Sequence, residues 1–256
     1  MIANYHTHTT RCHHATGTER EYVERAIEGG LKILGFSDHT PYPFPEGHVS
    51  GIRMSLKEMD DYTDTVLSLK KEYESDIEIH LGVEVEYYPR FFDKLLDFMK
   101  DYPVEYFLLA QHYTGDELEG VYSGKATDDP AVLERYCRQV TEAMETGRFT
   151  YLAHPDLINF TGDSGLYDSH MRTLCRNANR CNMPVEINFL GLYEGRNYPD
   201  RRFWKIVGEE GCQVIFGADA HCREAVWRPE VTKQAEEMVK KYDLNLIETA
   251  ALVKPV

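Results

Sequence analysis

The 256-residue sequence predicts an α/β fold, a distorted TIM-like barrel built on seven parallel strands, (β/α)7. Three observations lead there. Seven short apolar runs alternate with longer segments of helical periodicity, the pattern of strand–helix–strand units and so of a parallel sheet. Polar motifs rich in histidine and carboxylate lie at the C-terminal ends of six of those runs. A closed barrel brings all its strand ends around one mouth, whereas an open sheet gathers ligands at one switch point. Finally, no internal repeat, low-complexity tract or Pro/Gly/Ser-rich linker interrupts the chain, so residues 1–256 read as one domain.

The runs are, in order, Ile2–His6, Ile33–Ser37, Ile77–Glu86, Glu105–His112, Phe149–His154, Pro184–Phe189 and Val214–Asp219. Helical segments between them include Thr18–Glu28, Ser55–Glu74, Pro130–Glu145, Asp168–Cys181 and Asp200–Glu210. Thr18-x-x-Glu21 and Ser55-x-x-Glu58 have the form of capping boxes and mark two of the helix starts.

Each strand end carries chemistry. The first run ends in His6-Thr7-His8; residues i and i+2 on a strand share a face, so two imidazoles can grip one ion. Alone this is a weak signal. A further histidine follows in Cys12-His13-His14. The second strand ends Ser37-Asp38-His39. On the third, Glu84 and Glu86 share one face while Val83 and Val85 take the other. The fourth ends Gln111-His112, with His112 in phase with Ala110 and Leu108. The fifth ends His154-Pro155-Asp156 and the seventh Asp219-Ala220-His221, again an i, i+2 pair. A lone histidine at a strand end is usually structural. Seven of eleven histidines converging with Asp219 and a glutamate on one mouth is not a chance pattern. Imidazole and carboxylate suit Zn, Mn or Fe, and the donors outnumber one ion's coordination shell, so two to three divalent transition-metal ions are expected.

Composition narrows the partners. A formal charge of −15 repels nucleic-acid backbone and anionic membrane, so neither is expected as a partner. An anionic substrate would have to be drawn in by locally concentrated positive charge, for which metal ions are the natural source. The N-terminal residues have no basic-then-apolar signal pattern, and no apolar run reaches the ~20 residues of a membrane span. Six scattered cysteines without a C-x-x-C pair read as free thiols. A cytoplasmic protein is expected; the sequence is silent on oligomeric state.

The ordered set His6-x-His8, Cys12-x-His14, Ser37-Asp38-His39, Gly82-Val83-Glu84, Gln111-His112, Ala153-His154-Pro155-Asp156 and Gly217-Ala218-Asp219-Ala220-His221 resembles the polymerase and histidinol phosphatase (PHP) family. Arg53-Met54, Glu84-Val85-Glu86-Tyr87 and Gly195-Arg196-Asn197-Tyr198-Pro199 are similar to its histidinol-phosphate phosphatase branch in particular. The resemblance implies a distorted (β/α)7 barrel with a trinuclear site. It implies that His6, His8, Glu84 and Asp219 hold one ion, that Glu84 bridges to a second held with His112 and His154, and that His14, His39 and His221 hold a third. Glu84, Asp219 and His221 are the residues it places closest to the chemistry. The implied substrate is a small phosphorylated metabolite, L-histidinol phosphate. Arg196 and Arg53 are expected to bind its phosphate; Tyr113, Asp116, Glu117 and Tyr193 are candidates for its amine end. Asp38 and Glu86 are expected to orient ligand imidazoles rather than to bind metal. No cationic residue follows Asp156, where some members of this branch place a phosphate-binding arginine.

Overall fold

The computed structural model describes residues 1–256. Its strands are β1 (Ala3–Asn4), β2 (Ile33–Phe36), β3 (Glu78–Glu86), β4 (Tyr106–Ala110), β5 (Tyr113–Thr114), β6 (Val121–Tyr122), β7 (Tyr151–Leu152), β8 (Val185–Asn188), β9 (Gln213–Gly217) and β10 (Asn245–Leu246). Eight of them form one parallel sheet whose spatial order follows the chain, β1-β2-β3-β4-β7-β8-β9-β10. The sheet curls until the chain following β1 meets the chain following β9 at the mouth. There the His8 N–H donates to the Ala220 carbonyl (2.9 Å) and the Ala220 N–H to the His6 carbonyl (3.2 Å).

All seven expected strands are present, and the count is corrected to eight. β10 is a two-residue strip on β9 with no apolar run to announce it. The antiparallel β5–β6 pair, also unexpected, is a hairpin outside the barrel sheet. The expected helices appear as α1 (Glu19–Glu28), α2 (Met59–Glu72), α4 (Pro130–Glu145), α5 (Ser164–Arg180) and α7 (Arg201–Glu210). They are joined by α3 (Phe92–Met99), α6 (Phe189–Glu194) and α8 (Pro229–Tyr242). Thr18 and Glu21 form the reciprocal capping box at α1. At the second box Glu58 takes the Ser55 N–H at 2.7 Å, but the chain first makes a 3-10 turn, Leu56–Glu58, before α2 begins. α5 starts four residues earlier than its periodicity suggested because the Asp163 carboxylate caps it through the Leu166 N–H.

Alternation along the strands divides the core in two. Val83, Val85, Phe107 and Leu109 face outward and pack under the helices in one large cluster. Tyr5, Tyr106, Leu108, Ala110, Tyr151 and Ile215 face inward and fill the barrel floor. Tyr106 fits because β3 has glycine beside it: a Cβ on Gly82 would lie 2.3 Å from the Tyr106 ring. With the floor packed by tyrosines and the mouth left to polar side chains, the interior residues above Leu108 and Ala110 are those of the site. No helix is long and apolar enough to cross a membrane.

Candidate metal centre

Glu84 stands at the middle of the mouth. It shares the inward face of β3 with Glu86, opposite Leu108 on β4, and is 1% exposed. Around its carboxylate lie His154 Nε2 at 2.8 Å, His39 Nδ1 at 2.9 Å, His6 Nε2 at 3.3 Å, His8 Nε2 at 3.7 Å and His112 Nε2 at 4.0 Å. Asp219 completes the ring, 3.1 Å from His8 Nε2 and 3.5 Å from His6 Nε2. His14 and His221 sit at the outer rim, with their Nε2 atoms 3.0 Å apart. All nine side chains expected from the sequence to bind metal are therefore brought together.

The ring orientations are set from behind. His6 Nδ1 bonds Glu186 Oε1 (2.8 Å) and His112 Nδ1 bonds Glu86 Oε1 (2.8 Å), while His8 Nδ1 lies 3.4 Å from Asp38 Oδ1. His14 Nδ1 faces the Cys12 carbonyl at 2.7 Å and His221 Nδ1 the Asp219 carbonyl at 3.0 Å. For His6, His112, His14 and His221 a carboxylate or carbonyl faces Nδ1 and turns Nε2 toward the mouth. Glu86 thus orients the His112 imidazole, as the sequence suggested, while Asp38 accepts from the Thr9 and His39 N–H groups and lies beside the His8 ring without a hydrogen bond to it. Two site residues are also held in left-handed backbone, His154 (φ 30°) and Asp219 (φ 48°). Such a conformation costs a non-glycine residue about 1–3 kcal/mol and persists where surrounding structure enforces it.

Charge at the site runs in opposed directions. Burial pushes the Glu84 carboxyl up, but His39, His112 and His6 outweigh it and hold it well below the usual range. Asp219 is held low against burial by His6 and His8. His8 rises to about 9, because the neighbouring carboxylates of Asp219, Asp38 and Glu84 outweigh its burial. His39 falls to about 4, chiefly through burial. His14 and His221 are also lowered, first by burial and next by His8.

The donor set suits cations. Four buried atoms aimed at the centre, His6 Nε2, His8 Nε2, His39 Nδ1 and Glu84 Oε2, have no hydrogen-bond partner. Leaving buried polar atoms unpaired costs about 1–3 kcal/mol each. Moreover, two imidazoles whose Nδ1 protons are committed turn bare Nε2 lone pairs on one another at 3.0 Å. A cation between them relieves both defects. Three-donor groups with all ligating atoms within 4.8 Å include His6–His8–Asp219, His6–Glu84–His154, His8–His39–Glu84 and His14–His39–His221. Cys12 is also within such reach of His8 and His221, but burial pushes its thiol up to about 12.

A cavity of about 530 Å³ opens over the ring. His14, His39, His112, Asp219 and His221 line its floor; Tyr113, Tyr122, Leu157, Leu190, Glu194, Arg196 and Tyr198 line its walls. Arg196 is therefore where the sequence reading put it. Arg53 is not, and that expectation is corrected. Its guanidinium is buried behind His112, paired with both Glu86 oxygens at 3.0 Å and with Glu117 at 2.7 Å, and donating to the Thr40 carbonyl. An arginine with its donors so committed supports His112 through Glu86 and has no face toward the cavity. Of the four residues named for the amine end, only Tyr113 lines the cavity. Glu117 is spent on Arg53, the Asp116 carboxylate accepts the Leu118 and Glu119 N–H groups, and Tyr193 packs under Arg228 on the surface. Arg223 pairs with Glu28 on the surface.

Two residues on β8 escaped the sequence reading. Glu186, fully buried, accepts from His6, the His154 N–H (3.0 Å) and Asn188 (2.9 Å). Asn188 in turn donates to Asp219 at 3.0 Å. The signal was an inward i, i+2 pair of polar residues, Glu186 and Asn188, alternating with Val185 and Ile187, the same alternation that revealed Glu84 and Glu86.

A model of the PHP domain matches residues 4–189. Among curated relatives, a probable histidinol-phosphatase of Deinococcus radiodurans is 28% identical over 232 residues, covering 86% of each chain. The histidinol-phosphatase of Bacillus subtilis is 25% identical over 247 residues, covering 84% of this chain and 92% of its own. A crystal structure of histidinol phosphate phosphatase from Lactococcus lactis, complexed with zinc, L-histidinol and phosphate, superposes with a TM-score of 0.74 at 18% identity. It covers 99% of this chain and 97% of that one, a likeness of fold. The family model spans every strand end of the mouth from β1 to β8, and by that match the chain belongs to the PHP domain family.

Proposed function

We propose that this protein is a metal-dependent phosphomonoesterase that hydrolyses L-histidinol phosphate to L-histidinol and phosphate. The observation that carries the metal dependence is the set of orphaned buried donors around Glu84, an arrangement that makes chemical sense only around cations. Relatives named histidinol-phosphatase over most of their length support the substrate.

In this reading His6, His8, Glu84 and Asp219 hold one ion, Glu84, His112 and His154 a second, and His14, His39 and His221 a third. Zinc, manganese or iron, bound there, supplies charge neutralisation at the phosphoryl group and a nucleophile at neutral pH. The chain's own residues do the rest. Glu84, ionised and central, would offer its carboxylate to the ions held by the imidazoles around it. Glu86 and Glu186 keep His112 and His6 turned to the mouth, and backbone carbonyls do the same for His14 and His221, so that little reorganisation accompanies the reaction. Arg196, on the cavity wall, offers a planar fork to the phosphate oxygens. The tyrosines and leucines around it exclude water from the ester.

Phosphate release from a panel of phosphomonoesters by the Mn- or Zn-loaded protein tests the reading. The expected result is a kcat/KM for L-histidinol phosphate at least ~100-fold above that for p-nitrophenyl phosphate, about 2.7 kcal/mol of discrimination. Comparable efficiency would favour a phosphatase of another small ester. The uncharged Leu157 on the cavity wall speaks for that alternative.

A further inference from the structure

The cavity wall carries an ion pair that the fold does not require. Glu194 is the last residue of α6, at the end of the helix where its dipole disfavours a carboxylate. Its one charged partner is Arg196, two residues on, whose Nε donates to Glu194 Oε2 at 2.7 Å; the other arm of Arg196 reaches the Tyr198 hydroxyl at 3.0 Å. Both members line the cavity above the metal ring. Neither is buried, at 44% and 38% side-chain exposure, so the pair contributes little to stability and opens at small cost.

We propose that Glu194 is a specificity-determining residue that reads the cationic end of a zwitterionic phosphomonoester, exchanging its partner Arg196 for the substrate's ammonium or imidazolium group. The inference rests on the phosphatase reading given above and adds the group that selects the substrate. In the free protein the two side chains neutralise one another. An incoming phosphate dianion offers Arg196 a bidentate, doubly charged acceptor in place of a single carboxylate oxygen, and Arg196 turns to it. Glu194 is then left with an unmatched negative charge on the same wall. A substrate carrying its own cation supplies the match. An ester without one leaves carboxylate and phosphate facing each other in a half-enclosed cavity, a repulsive element built against the wrong ligand. The other wall residues, Ile52, Tyr113, Tyr122, Leu157, Leu190 and Tyr198, carry no formal charge at neutral pH. Glu194 is therefore the carboxylate that the walls, as distinct from the metal floor, present to a cation.

The test compares metal-loaded wild type with Glu194→Gln on a matched pair, 2-aminoethyl phosphate and ethyl phosphate, and on L-histidinol phosphate. KM is measured for each compound, or the dissociation constant by calorimetry for any that is not turned over. Wild type is expected to prefer the aminated member. Glu194→Gln should weaken binding of 2-aminoethyl phosphate and L-histidinol phosphate by ~10-fold while ethyl phosphate is unchanged or bound more tightly. Glu194→Asp, which keeps the charge, should restore part of the preference. Equal losses on both members of the pair would reduce Glu194 to a support for Arg196, and no change on either would remove it from recognition; both overturn the proposal. Wild type failing to release phosphate from L-histidinol phosphate overturns the functional reading instead. The binding ratio within the matched pair still decides the role of Glu194.

Discussion

Glu84 and Glu86 lie two residues apart on one face of one strand, yet they do different work. Glu84 faces five imidazoles, whereas Glu86 is tied to Arg53 and to the back of His112. Glu84→Gln should therefore leave the fold intact but strip cations from the centre and abolish turnover. Glu86→Gln should instead cost stability, because Arg53 is left buried with Glu117 as its one full counter-charge. Breaking one side of a buried pair costs about 3–5 kcal/mol. Elemental analysis and denaturant unfolding on the two variants separate the effects; equal metal loss with unchanged stability in both would contradict this division. Sequence alone identified both glutamates, but the choice of Glu84 came from the family resemblance. The reason for it, the converging Nε2 atoms, exists only once the strands are side by side. Arg53 was misplaced for the same reason. Its burial against Glu86 and Glu117 is a contact across 33 and 64 residues that local pattern cannot reveal.

At the scale of elements, β3, β4 and α2 are tied at the lower edge of the barrel by Glu105. Its carboxylate accepts from His80 Nδ1 (2.9 Å), Lys70 Nζ (2.7 Å) and the Leu81 N–H (3.0 Å). Partial burial pushes this carboxyl up, but His80, Lys70 and the Leu81 amide outweigh it and hold it down to about 2. A carboxyl whose folded-state value lies below its unfolded one stabilises the fold above the unfolded value and loses that contribution as pH falls through the folded one. The stability difference between wild type and Glu105→Gln is therefore expected to be constant above about pH 5 and to shrink toward pH 2. Urea titrations across that range check it, and a difference that grew with acid would have the wrong sign. The main strands and helices around this junction were legible because their apolar periodicity runs for several residues. β10 and the β5–β6 hairpin were not: two-residue strands have no period, and they exist because neighbouring backbone offers hydrogen bonds.

For the whole molecule, a net charge of −15 with a ring of unpaired donors at its mouth would be relieved by bound cations. Purified and reloaded protein should carry about two to three transition-metal ions per chain, since the nine donors exceed the four or so that one zinc ion uses. Ligands that bind only the native state stabilise it by about 2.7 kcal/mol at a hundredfold excess over Kd, so chelation should lower Tm markedly. Elemental analysis that found no more than one ion per reloaded chain would remove the trinuclear assignment. The seam of the barrel runs through this same ring. His6 and His8 stand on one side of the Thr7–Ala220 contact and Asp219 and His221 on the other, more than two hundred residues away along the chain. Few backbone hydrogen bonds join the two sides there, and ions shared between them would act as a clasp across the join. Such a clasp would link local opening of the seam to loss of the ions. If ions do span the seam, substitutions that loosen the Thr7–Ala220 contact are expected to speed metal loss to a chelator as well as unfolding.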